Sequence, residues 1–68
     1  MLLTAPLMPA PEGGYTALNP ETGTTSQGET VEEAVANLRE ATELYLEEFP
    51  QKSSGRPFVT TFEIAEHA

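Results

Sequence analysis

The spacing of apolar positions changes twice along this chain, from two to between three and four and back to two. Tyr15-Thr16-Ala17-Leu18-Asn19 alternates, with Tyr15 and Ala17 on one face and Thr16 and Leu18 on the other, and predicts a β-strand. Pro20-Glu21-Thr22-Gly23 predicts a β-turn, because proline presets φ and glycine accepts a positive one. Thr24-Thr25-Ser26-Gln27 follows as a short β-branched strand, so the pair reads as a hairpin. Upstream, Leu2 to Pro11 is apolar but holds Pro6, Pro9 and Pro11. Proline has no amide to donate, so a strand there must be short, at an edge, or broken. Glu12-Gly13-Gly14 marks the turn that follows it.

At Thr30 the period lengthens. Thr30 and Glu33 form a capping box, in which the hydroxyl accepts from the Glu33 amide while the carboxylate reaches back. Glu32 and Glu33 also place negative charge in the first turn, where the helix dipole favours it. Val31, Ala34, Val35, Leu38, Ala41, Thr42, Tyr45 and Phe49 then recur three and four apart as one stripe. Glu32, Glu33, Asn37, Arg39, Glu40, Glu43, Glu47 and Glu48 fill the remaining positions, and Pro50 stops the helix after roughly 28 Å. A polar connector with Ser53-Ser54-Gly55 leads to Phe58-Val59-Thr60-Thr61-Phe62-Glu63-Ile64. That run has Phe58, Thr60, Phe62 and Ile64 on one face and predicts a final strand. The expected architecture is α+β, in the order β-β-β-α-β, with one helix packed on a small, mainly antiparallel sheet.

Size narrows the picture. Sixty-eight residues make one domain, and a chain this short buries only about 60% of the surface its unfolded form exposes. Small domains compensate with disulfides, metals or self-association. There is no cysteine, which excludes disulfides, thiolate metal sites and thiol nucleophiles, and the single histidine, His67, cannot build an imidazole cage. A homo-oligomer, dimer or tetramer, is therefore expected. The net charge of -8 comes from eleven Glu and no Asp against two Arg and one Lys. Such a surface repels phosphate backbones and attracts basic partners, so direct nucleic-acid binding is not expected. The first eight residues lack the positive region of a signal peptide, no stretch is long enough to cross a bilayer, and a cytoplasmic location follows as the expectation.

Catalytic chemistry finds little support. His67 is the penultimate residue, where chains fray, and Ser26, Ser53 and Ser54 have no elbow motif or activating histidine. Gly13-Gly14 lacks the lysine and glycine spacing of a phosphate loop. Glu33, Glu40, Glu43 and Glu47 include helical neighbours, but a dimetal bundle site uses inward-facing Glu-x-x-His, and this helix has no histidine. A solvated face is the better account, with Arg39 pairing locally to Glu43. No cofactor is expected. Two features remain as candidate contacts: Leu44, outside the apolar stripe among Glu40, Glu43, Glu47 and Glu48, with Leu46 at the stripe's edge, and the Phe58–Ile64 run, whose backbone invites pairing if it lies at a sheet edge.

Gly13-Gly14-Tyr15-Thr16-Ala17-Leu18-Asn19-Pro20-Glu21, Ser26-Gln27-Gly28-Glu29-Thr30-Val31-Glu32-Glu33-Ala34, Asn37-Leu38-Arg39-Glu40-Ala41 and Leu44-Tyr45-Leu46-Glu47 together resemble the HicB-like antitoxin family, in its short stand-alone form. The likeness spans Gly13 to Glu48, about half the chain. It implies a partial ribonuclease H-like domain and a non-catalytic role. Members of that family neutralise HicA toxins, small basic messenger-RNA ribonucleases, by covering their active site. Where many relatives have Leu-Pro-Gly-Cys after the Pro-Glu pair, this chain has the shorter Thr22-Gly23-Thr24, and its first strand is richer in proline. Full-length relatives carry a C-terminal DNA-binding domain; the chain ends at Ala68 without one, so operator binding is not expected. Two alternatives stay open: an orphan homo-oligomer with another partner, and a metal-dependent nuclease with a degenerate ribonuclease H-like site.

Overall fold

A computed structural model describes residues 1–51 and 55–66. Three antiparallel strands, β1 (Leu7–Pro9), β2 (Tyr15–Asn19) and β3 (Thr24–Gly28), precede one helix, α1 (Val31–Glu48). The sheet order is β1-β2-β3, with Leu7 opposite Ala17, and Ala17 opposite Ser26. The arrangement is the predicted α+β one, a small sheet with a helix across it.

Each local element follows from its residues. Pro6, Pro9 and Pro11 confine β1 to three residues at the sheet edge. Gly13 and Gly14 both adopt positive φ in the first hairpin loop, which closes with the Ala10 amide donating to the Gly14 carbonyl at 2.9 Å. Gly23 takes φ of 82° in the second, where its amide donates to the Asn19 carbonyl at 2.7 Å. Thr30 is the N-cap: its hydroxyl accepts from the Glu33 amide at 3.1 Å. The Glu33 carboxylate reaches one residue further back than the N-cap, to the Glu29 amide at 3.2 Å. Helix α1 ends before Pro50, as expected, with Phe49 as C-cap donating its amide to the Tyr45 carbonyl.

Period-two alternation turns Tyr15, Ala17 and Asn19 of β2, and Thr24, Ser26 and Gly28 of β3, toward the helix. The apolar core is small: Ala17 from the sheet against Ala34 and Leu38 from the helix, with Ala5, Leu7 and Tyr15 packed at its margin. The helical stripe is consequently buried only along its middle, at Ala34, Leu38 and Thr42, whereas Val31, Val35 and Phe49 stay exposed. The reason is width. Helix α1 packs chiefly on β3 and less on β2, leaving the flank toward β1 largely uncovered.

The expected final strand is the main difference. Residues 56–66 form no strand, and Phe58, Phe62 and Ile64 are 87%, 84% and 77% exposed. Alternation specifies the two faces of a strand but supplies no hydrogen-bonding neighbour, and a strand forms only beside one. The radius of gyration of 14.0 Å exceeds the roughly 11 Å of a compact chain of this length, in keeping with a segment lying away from the body. Of the connector, Ser53 and Ser54 lie outside the described residues, as does His67.

Candidate functional site: an acidic helix face and an open apolar flank

The candidate contact residues separate into three places. Leu44 lies on the solvent side of α1, 57% exposed. Glu40, Glu47 and Glu48 stand four before, three after and four after it, which puts all three around it on the helix surface. Glu43 continues the same face, and Arg39 pairs with it at 3.8 Å between two exposed side chains, as the spacing predicted. That exposed pair is worth only a few tenths of a kcal/mol. No basic residue occupies the last turn of α1. The negative end of the helix dipole therefore coincides with Glu47 and Glu48, an unfavourable local arrangement that a cationic partner would relieve.

Leu46, at the edge of the apolar stripe, sits on a different side from Leu44. It is half-buried and, with Val35, Leu38, Arg39 and Thr42, faces Leu3 and Ala5 across a cavity of about 430 Å³. The flank continues along the helix through Val31, Val35 and Arg39. Phe58, Thr60, Phe62 and Ile64 form the third place, all exposed and joined to neither of the others. Thr30 and Glu33 serve the helix start and are structural.

A polar network runs from the N-terminal segment to the helix. Asn19 is 1% exposed. Its Nδ2 donates to the Thr4 carbonyl at 2.8 Å and to Glu21 Oε1 at 2.6 Å. Its Oδ1 accepts from the Thr22 amide at 3.0 Å and the Thr22 hydroxyl at 2.6 Å. Thr22 and Thr24 hydroxyls pair at 2.8 Å, and Thr24 pairs in turn with Thr42 of α1 at 2.7 Å. Glu21 is held by the Thr4 hydroxyl and amide. These bonds lower the Glu21 carboxyl below its ordinary range, the Thr4 hydroxyl contributing most. Asn19 shares its strand parity with Tyr15 and Ala17, the one sequence signal that could have placed it inside.

Among the described residues no buried side-chain oxygen or nitrogen lacks a hydrogen-bond partner. Among the described residues no three His, Cys, Asp or Glu side chains are disposed to share a metal ion. No described helix is long and apolar enough to cross a membrane. Neither family models, nor curated proteins, nor solved structures give a match to this chain.

Proposed function

We propose that this chain is a non-catalytic protein-binding module of the HicB-like antitoxin type, which neutralises a small basic HicA-type ribonuclease by covering its active site. One observation carries the reading: Leu44 stands exposed inside a ring of glutamates at the electronegative end of α1. An apolar centre with a charged rim is the usual anatomy of a protein contact. The acidic rim would steer a basic partner and suppress acidic ones, and Leu44 would supply the dehydrated centre. The resemblance from Gly13 to Glu48 names the partner class.

Co-expression with the product of a neighbouring HicA-type reading frame tests this. A complex that survives purification, protects RNA from cleavage and is lost in Glu40→Lys/Glu47→Lys supports the reading. Absence of a complex at micromolar concentrations overturns it. A second reading, a homo-oligomer serving another partner, draws on a separate observation: the exposure of Phe58, Phe62 and Ile64 beside an apolar core that, among the described residues, buries Ala17, Ala34 and Leu38.

A further inference from the structure

The two edges of the sheet are not equivalent. The Leu18 amide donates to the Pro6 carbonyl at 3.1 Å, and Met8 lies opposite Thr16. Backbone groups alternate in direction along an antiparallel strand, so Pro6 and Met8 face β2 while Ala5, Leu7 and Pro9 face outward. Two of the three prolines thus leave the outer edge intact. Ala5 and Leu7 offer amides and carbonyls there, and only Pro9, at the end, lacks a donor. By the same alternation Thr25 and Gln27 face outward on β3. That edge is already closed in part, because Asn37 of α1 donates to the Gln27 carbonyl at 2.8 Å. The available edge is β1.

The helix flank above that edge is open, with Val31, Val35 and Leu46 as its apolar residues beside Arg39 and Glu43, and with Leu3 and Ala5 lining the far side at the helix C-terminal end. What is missing is one more strand beside β1, with apolar residues turned up toward the helix. Phe58, Thr60, Phe62 and Ile64 match that need in spacing. Four alternate strand positions span about 20 Å, and Val31 to Leu46 spans about 22 Å of helix. A strand parallel to β1 would place Arg56 near Glu43 and Glu47, toward the helix C-terminus. The antiparallel direction would place Glu66 there instead, among like charges.

We infer that the Phe58–Ile64 segment of a second copy of this chain fills the flank, adding a parallel strand to the outer edge of β1 in a reciprocal exchange. This inference rests on the self-association reading above and names the surfaces that meet. Within one copy, the segment stands clear of its own groove. Phe58, Phe62 and Ile64 would each remove about 150 Å² from water. With the matching groove surface and both copies counted, the interface buries about 1,800 Å², which falls within the range of stable protein pairs.

The chain has no cysteine, so introduced thiols report one contact each. Met8 lies on the outer sheet face, and Thr61 would join it there. Two differently tagged full-length chains, Met8→Cys and Thr61→Cys, are mixed and oxidised, and the wild type is sedimented over a range of concentrations. The expected result is a dimer, with a disulfide joining the two tags. Phe62→Asp should raise the dimer dissociation constant about 30-fold or more while leaving the helical circular dichroism signal intact, since Phe62 touches no core in one copy. A dimer indifferent to Phe62→Asp overturns the exchange but keeps self-association. A monomer at every concentration overturns both. A Met8→Cys/Thr61→Cys double variant that closes within single monomeric chains overturns the exchange in favour of self-docking.

Discussion

The hydroxyls of Thr24 and Thr42 meet at 2.7 Å and tie strand β3 to helix α1 at a position where most small domains would place an apolar pair. Thr42 is buried on the helix stripe beside Leu38 and Ala34, and Thr24 passes the chain of bonds on to Thr22 and Asn19. The sheet and helix are therefore held at one end by the apolar core and at the other by hydroxyls. A domain of this size has a total stability of about 3–10 kcal/mol, so single members of that network matter.

Thr42→Val keeps the shape of the side chain but leaves Thr24 facing an apolar group. The expected loss in chemical denaturation is about 1–2 kcal/mol. Thr24→Val/Thr42→Val removes both partners, and its loss should be smaller than the sum of the two single losses. Additive effects within error would show that the two hydroxyls are not coupled.

Glu21 makes the N-terminal anchor sensitive to acid. Its carboxyl is held below its ordinary range by the Thr4 hydroxyl, then by the Thr4 amide and by Asn19 among the smaller contributions. A group with a depressed folded pKa binds its proton less readily than in the unfolded chain. Its stabilisation is present above the ordinary glutamate value near 4.3 and is lost as pH falls toward and through the lowered one. Melting temperature followed from neutral pH to about pH 3 should drop, and Glu21→Gln should flatten that drop. An unchanged pH profile in the variant would remove Glu21 from this role.

Gly28 is needed because of what lies above it. A Cβ on Gly28 would stand 2.4 Å from the Ala34 nitrogen and 2.8 Å from its Cα, so the first turn of α1 would have to lift off β3. Gly28→Ala is expected to lose about 2–3 kcal/mol in urea unfolding, as overpacking against backbone does. Gln27→Ala beside it, on the exposed face, should stay within about 0.5 kcal/mol. Equal effects at the two positions would contradict the close approach.

The acidic end of α1 predicts opposed effects on folding and binding. Glu47→Lys places a cation in the last helical turn, where none is present, and should stabilise the fold by about 0.3–1 kcal/mol. The same change should slow association with a basic partner, with a smaller effect at high salt. Improved stability with unaltered association would locate the partner surface elsewhere.

Much of this architecture was legible one stretch at a time. The Thr30 cap, the Pro50 stop, the Pro20–Gly23 turn and the proline-limited first strand each depend on neighbours within a few residues. The Arg39–Glu43 pair was legible for the same reason. Less legible were relations between stretches. Leu46 falls at the edge of the helical stripe, but that it faces Leu3 and Ala5 across an open flank depends on where the N-terminal segment lies. Asn19 is the polar end of the predicted strand, and it is buried because strand parity carries it under the helix.

The Thr30-capped helix, the hairpin and the two-faced character of residues 58–64 follow from residue order alone, because backbone sterics, capping and side-chain periodicity act over a few positions. The narrow placement of α1 over β3 and β2, the network through Asn19, and the absence of a strand over residues 56–66 came from packing. A three-stranded sheet has only so much surface to offer one helix, and the alternation in Phe58–Ile64 specifies which face is apolar without specifying which edge it joins.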